Sequence, residues 1–240
     1  MTHAQNAGKK TGIVSTTRIT HATPAAAFGR SPDRNWEADS DIPPAKRACP
    51  DLARQLIEND PGKRLNVVFG GGKRNFQPRN SASGKGRRND ARDLIQEWLH
   101  NAVLSNVSAR YVENKYQLKD AIASAPDRVL GLFSENHMEF ESEKKKPVSG
   151  EPTLAEMTEA AIELLQNPNG FVLLVEGGRI DHALHCTNAK RAILETLALE
   201  KAINTALLST NPVDTLILVG ADHSHVMTIN GYPKRGNPIL

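Results

Sequence analysis

"GFVLLVEGGRIDHALH", residues 170–185, runs five apolar residues straight into a Glu, an Arg, an Asp and two His. A continuous apolar run of that length, bounded by Gly170 and Gly177, reads as a strand buried on both faces, the kind found in parallel sheets covered by helices. Glu176, Asp181 and His185 then fall just past the carboxyl end of the strand, the edge of a parallel sheet where ligands bind. An ordinary surface loop has no need of such groups against a buried strand. The stretch therefore predicts an architecture and the place on it where chemistry is done.

Working outward, residues 11–15 (TGIVS), 65–69 (LNVVF), 129–133 (VLGLF) and 215–219 (TLILV) are further short apolar runs expected as strands. Between them lie segments with apolar residues at helical spacing: 51–58, 90–99, 116–125, 153–166 and about 187–208. Thr153 followed by Glu156 has the form of a capping box. Such alternation predicts an α/β layered fold with a largely parallel central sheet flanked by helices. No internal repeat and no linker divides residues 1–240, which read as part of one domain. The loops 22–48 and 75–89 are rich in Pro, Gly, Ser and Asn and exceed the usual connection length, as functional loops do.

Composition narrows the classes. With 39% hydrophobic and 24% charged residues over 240 positions, the chain is neither disordered nor membrane-spanning, and it is long enough for a sizeable core. The first residues lack the apolar centre of a signal peptide. A net charge of +3 is mild, and the one basic stretch, 85–92, has no interleaved aromatic residues; it reads as a solvated loop, so no nucleic-acid partner is expected. Cys49 and Cys186 have no metal-ligand spacing and are open to being free, paired or unrelated.

A second run repeats the first. Residues 214–219 lead into Gly220-Ala-Asp-His-Ser-His225, so Asp222 and His223 would reach the same edge. Two strands that deliver carboxylate and imidazole to one edge would assemble a metal site, since Asp oxygen and His nitrogen suit zinc. Asp181 and His185, four apart, share a helix face and can hold one ion; Asp222 and His223 would serve a second. Glu176 suits a harder cation such as magnesium. His182 and His225 are left to pack or to face water, and Asp181 alone would serve as a helix cap.

Four stretches, "TGIVSTTRITHATPAAAF" (11–28), "DRNWEADSDIP" (33–43), "VEGGRIDHALH" (175–185) and "ADHSHVMTINGYPKRGNP" (221–238), together resemble the alkaline phosphatase family, its animal and arthropod members above all, from about residue 7 to 240. The resemblance implies phosphate monoester hydrolysis through two zinc ions and one magnesium ion. It assigns Asp181 and His185 to the first zinc, Asp222 and His223 to the second, and Thr23 and Glu176 to magnesium. His21 would lie near magnesium and Arg34 would grip the substrate phosphate. It further implies phosphomonoester substrates, a homodimer, and an extracellular or cell-surface place on a glycolipid anchor.

The same resemblance sets expectations of deficiency. The nucleophilic serine would lie before Met1 and the last ligand of the first zinc beyond Leu240, so the chain is expected to be the central part of a family domain and inactive alone; the alternative is a non-catalytic metal- or phosphate-binding protein. Gly220, Ala91 and Cys186 depart from the residues usual in the family. Cys49 matches a half-cystine whose partner would lie upstream, Glu151 is the one position nominated for calcium, and Asn106 opens a possible glycosylation triplet.

Overall fold

The computed structural model describes residues 1–82, 84–144, 150–228 and 231–237. Ile229, Asn230 and Pro238 of the last motif lie outside them. In chain order the elements are α1 (Thr2–Asn6), β1 (Lys10–Arg18), α2 (Ala22–Ala26), α3 (Leu52–Glu58), β2 (Val67–Gly71), α4 (Leu94–Leu104), β3 (Ala109–Val112), α5 (Lys115–Ser124), β4 (Arg128–Leu132), α6 (Leu154–Leu164), β5 (Phe171–Glu176), α7 (Arg179–His185) and α8 (Ala189–Leu208). The strands form one sheet in the order β3-β4-β2-β1-β5, every pairing parallel.

Period-two alternation divides the core. Ile13, Val68 and Leu130 point to one side, where they meet Leu56 of α3 and Leu94 and Trp98 of α4. Val14, Val67 and Val129 point to the other, onto Leu118 of α5, Met157 of α6 and Ala202 of α8. Both faces of the inner strands are thus covered, which is why they read as apolar runs; β5, expected as a buried strand, is instead an edge strand with no fully buried residue and Val172 41% exposed. The fold is the α/β class expected, and β1, flanked by β2 and β5, is buried from Thr11 to Thr17.

Caps fix the helix starts. Thr153 accepts from the amide of Glu156 while the Glu156 carboxylate takes the Thr153 amide, the capping box read from the sequence. Asp51 caps α3 and Asp93 caps α4. The helix expected from residue 90 starts later because Asp90 is held by Arg88 instead.

One expected strand is absent and one strand is unexpected. Residues 215–219 form no strand; Leu216 and Leu218 are 80% and 83% exposed. An apolar run becomes a strand only when a ladder satisfies its backbone and a layer covers its face, and here it has neither. Asp222 and His223 are therefore carried by an irregular segment, not by a strand end. Conversely, β3 was not anticipated: it is a four-residue edge strand with only Val112 fully buried, too short for a clear pattern.

Candidate metal centre

The carboxyl ends of β1 and β5 lie side by side, with Ser15 opposite Glu176 in the ladder. The Ser15 hydroxyl donates to Glu176 Oε2 at 2.5 Å, Thr17 Oγ1 donates to the same oxygen at 3.3 Å, and the two hydroxyls are 2.7 Å apart. Two buried hydroxyls thus hold one carboxylate oxygen of Glu176. Beyond it the chain must turn in very little space. A Cβ on Gly178 would come within 2.4 Å of Thr17 and 2.8 Å of the Glu176 carboxyl, so only glycine lets α7 begin here.

The single helical turn between them puts Asp181 and His185 on one face, with His185 Nε2 3.5 Å from Asp181 Oδ2. The segment after α8 folds back onto this face. His223 Nε2 lies 3.8 Å from Asp181 Oδ1 and 3.5 Å from Asp222 Oδ2. The His225 ring stacks edge-on against His185 with centroids 4.7 Å apart. One oxygen of Asp181 and one nitrogen each from His185 and His225 lie within 4.8 Å of one another. Asp181 Oδ1 is buried and accepts no hydrogen bond, an unsatisfied position that a cation would fill.

A second group of rings, His21, His137 and His182, lies at the amino-terminal side of α7, with centroids 4.4–5.2 Å apart. Each of these rings faces an arginine. Arg179 Nη1 donates to His182 Nδ1 at 3.0 Å, Arg34 Nη2 reaches His21 Nε2 at 3.5 Å, and Arg18 meets His137 with its amide on Nδ1 and its guanidinium on Nε2. Burial, reinforced by Arg18, pushes the His137 pKa down to about 2; burial and Arg179 push His182 down to about 4, and His21 is lowered by the same kinds of cause. The three rings are neutral spacers among guanidinium groups.

Arg18 is itself anchored by Glu37, whose carboxylate takes Arg18 Nη2 at 2.6 Å and Nε at 2.8 Å, the Thr20 hydroxyl at 2.6 Å and the Asn75 amide at 3.0 Å. Burial raises the Glu37 pKa, but Arg18 and Thr20 outweigh it and hold the group below its ordinary value. Arg179 lies flat on Phe140, its guanidinium carbon 3.7 Å from the ring centroid.

The structure thus gathers Glu176, Asp181, His185 and His223 at one sheet edge, with Asp222 76% exposed on its rim. Thr23 lies half-buried in α2, which rests against β1 and β5, and Arg34 is exposed on the following loop. Glu151 lies apart from them, accepting the Glu139 amide at 3.0 Å, with its pKa raised by burial. Cys49 and Cys186 are free thiols. Sequence reading gave no role to His182 or His225, yet both sit among these groups; the spacing of His223 and His225, two apart in an exposed segment, was the available signal.

Comparison with known proteins gives one consistent answer. The family model described as alkaline phosphatase matches residues 1–240. The membrane-bound alkaline phosphatase of Bombyx mori is 43% identical over 97% of this chain and 43% of its own length. The tissue-nonspecific isozyme of Gallus gallus is 42% identical over 99% of this chain and 47% of its own. The chain thus spans about half the length of the curated relatives it matches. Among solved structures, the alkaline phosphatase of Thermus thermophilus superposes with a TM-score of 0.63 at 33% identity, covering 85% of this chain and 36% of that one. That of the Antarctic bacterium TAB5 gives 0.64 at 26%, covering 85% and 49%, and a variant of it was solved with magnesium bound. The parallel sheet, the residues gathered at its carboxyl edge and these likenesses agree: the chain belongs to the alkaline phosphatase family.

Proposed function

We propose that this chain is the central part of a phosphate monoester hydrolase domain that works with two zinc ions and one magnesium ion. The observation that carries the reading is the convergence of carboxylates and imidazoles around Asp181, whose buried Oδ1 has no hydrogen-bond donor. That donor set, carboxylate oxygen with imidazole nitrogen, suits zinc. Asp181 and His185 would hold the first zinc, Asp222 and His223 the second. Glu176 and Thr23 offer oxygen alone and suit magnesium, with His21 beside them. When bound, such ions supply positive charge to phosphoryl oxygens and make water a better nucleophile.

The chain's own groups bind and orient. Arg34 presents two parallel donors to a phosphoryl group, a geometry a lysine cannot copy. Neutral His21 lets that guanidinium approach without a second charge opposing it. Ser15 is buried with its hydroxyl committed to Glu176, so it holds a ligand and does not attack phosphorus. We therefore read the 240 residues as binding phosphate without turning over a phosphomonoester by themselves. For the protein as a whole we place the activity at the cell surface, on a glycolipid anchor, in a homodimer; the membrane-bound name of the Bombyx mori relative supports the address. Among the described residues no helix is long and apolar enough to cross a membrane.

Calorimetric titration of the zinc-loaded chain with inorganic phosphate tests the reading. Arg34→Ala should weaken binding about 10- to 100-fold, the loss of hydrogen bonds to a charged group. Equal phosphate affinity in both proteins, or none in the wild type, overturns it. Hydrolysis of a chromogenic phosphomonoester by this chain would overturn the claim that it does not turn over alone.

A further inference from the structure

Helix α4 buries one face and bares its last turn. Leu94, Ile95, Trp98 and Ala102 are buried, yet the final two residues, Val103 and Leu104, are 76% and 72% exposed. Adjacent bare apolar side chains invite association when nothing covers them. The helix is closed just beyond them. Ser105 is its C-cap, and Asn106 takes the left-handed conformation at φ +52°, its amide donating to the Val103 carbonyl at 3.0 Å and the Val107 amide to the Ala102 carbonyl at 2.9 Å. Asn106 is exposed, and among the described residues its carboxamide takes part in no hydrogen bond. It follows Leu104 by two positions and opens Asn106-Val-Ser108, the one Asn-X-Ser/Thr triplet in the 240 residues.

We infer that Asn106 carries an N-linked oligosaccharide that lies over Val103 and Leu104. The inference rests on the extracellular reading above, because such sugars are added to chains that enter the secretory pathway. In the transfer, the Asn106 carboxamide nitrogen attacks the anomeric carbon of an oligosaccharide carried on a polyprenyl diphosphate. The N–C bond forms, the C–O bond to the diphosphate breaks with its electron pair, and the nitrogen gives up one proton to solvent. The hydroxyl two residues on is part of the recognised triplet. In the folded chain that hydroxyl is taken: Ser108 Oγ donates to Asp127 Oδ2 at 2.6 Å and accepts the Asp127 amide at 2.9 Å. Transfer therefore precedes the pairing of Ser108 with Asp127, which lies 19 residues downstream. Ser108 serves the transferase first and the start of β3 afterwards. An oligosaccharide is bulky and solubilising. Its C–H faces are apolar, so one anchored at this turn covers the two bare side chains while its hydroxyls meet water.

Directing the 240-residue chain into the secretory pathway of insect cells with a cleavable leader, then comparing masses before and after a peptide N-glycosidase, reads the modification. The wild type should lose a glycan mass and show an aspartate at position 106 on peptide sequencing. Asn106→Gln and Ser108→Ala should show neither, and Ser108→Thr should match the wild type. Occupancy is read in medium and cell lysate alike, so a variant that misfolds still reports. A wild type unmodified in both overturns the inference. The cover is tested with an apolar fluorescent dye: enzymatic removal of the sugar should raise dye fluorescence, and the double variant Val103→Gln, Leu104→Gln should abolish that rise while remaining modified. No rise in the wild type, or a rise of the same size in the double variant, refutes the cover. A modified chain that binds no phosphate removes the hydrolase reading and leaves Asn106 as a sugar site; an unmodified chain that binds phosphate does the reverse.

Discussion

Replacing Glu37 by Gln should be among the most damaging single changes available to this protein. The carboxylate accepts four hydrogen bonds, two of them from Arg18, and both side chains are nearly inaccessible, at 8% and 15% exposure. An amide can return at most one acceptor oxygen to these donors and turns an N–H toward the guanidinium. Removing one partner of a buried ion pair costs about 3–5 kcal/mol, because the remaining charge stays buried without compensation. Against a total stability of roughly 5–15 kcal/mol, that is a large fraction. Urea unfolding followed by tryptophan fluorescence measures it, since Trp36 adjoins Glu37. The double variant Arg18→Met, Glu37→Leu should lose less than Glu37→Gln alone, because it leaves no orphaned charge.

The pH dependence carries its own sign. The folded pKa of Glu37 lies below the ordinary 4.5, so its contribution is complete above that value and is lost as pH falls through the lower folded value. The gap between wild type and Glu37→Gln should therefore be widest near neutrality and shrink in acid. A loss under about 1 kcal/mol at neutral pH, below even the usual effect of one unsatisfied buried group, would refute this account of the network.

Arg88 is fully buried between Asp51 and Asp90, with Asp51 at once its partner and the cap of α3. Arg88→Met should lower stability by about 3–5 kcal/mol, read from the urea midpoint. His137 is held neutral with its pKa pushed to about 2, against 6.5 when unfolded; the unfolded chain therefore takes up a proton that the folded one refuses, and stability falls as pH drops below 6.5. His137→Asn should flatten that acid limb in melting temperatures measured from pH 7 to pH 4, and an unchanged slope would count against the assigned neutrality. Ser15→Ala frees Glu176 Oε2 from its closest donor. It should weaken manganese binding, followed by electron paramagnetic resonance of the free ion, about 10-fold, with Ser15→Thr close to wild type. A Glu176→Gln variant that binds manganese normally would instead remove magnesium from Glu176.

What the sequence made legible is what depends on neighbours in the chain. Strands β1, β2 and β4 announce themselves because inner strands covered on both faces demand apolar runs; β5 shows the same pattern from the edge of the sheet, half-buried. Thr153, followed by Glu156, announces the helix it caps. The run from Val175 into Asp181 places the site because the end of β5 and the start of α7 are contiguous. Residues 215–219 misled because an apolar pattern records what a segment would bury, not whether a ladder receives it. The pairing of Arg18 with His137 spans 119 positions and that of Ser15 with Glu176 spans 161, so no local pattern betrays them. His225 escaped notice for the same reason: its place beside His185 exists only after α8 has carried the chain back.

Strand β1 and the turn after it serve four partners between Ser15 and His21. Ser15 and Thr17 face Glu176, Arg18 faces Glu37 and His137, and the turn that follows delivers His21 to Arg34. Side chains alternate along a strand, so inserting or deleting one residue before Ser15 would exchange the two faces and disconnect every partner together. This strand cannot absorb a change of length, and neither can the ends of loop 75–89, where Asn75 holds Glu37 and Arg88 holds Asp51. Any library built to diversify the protein should therefore leave the spacing from Lys10 to His21 fixed and spend its variation in the loops.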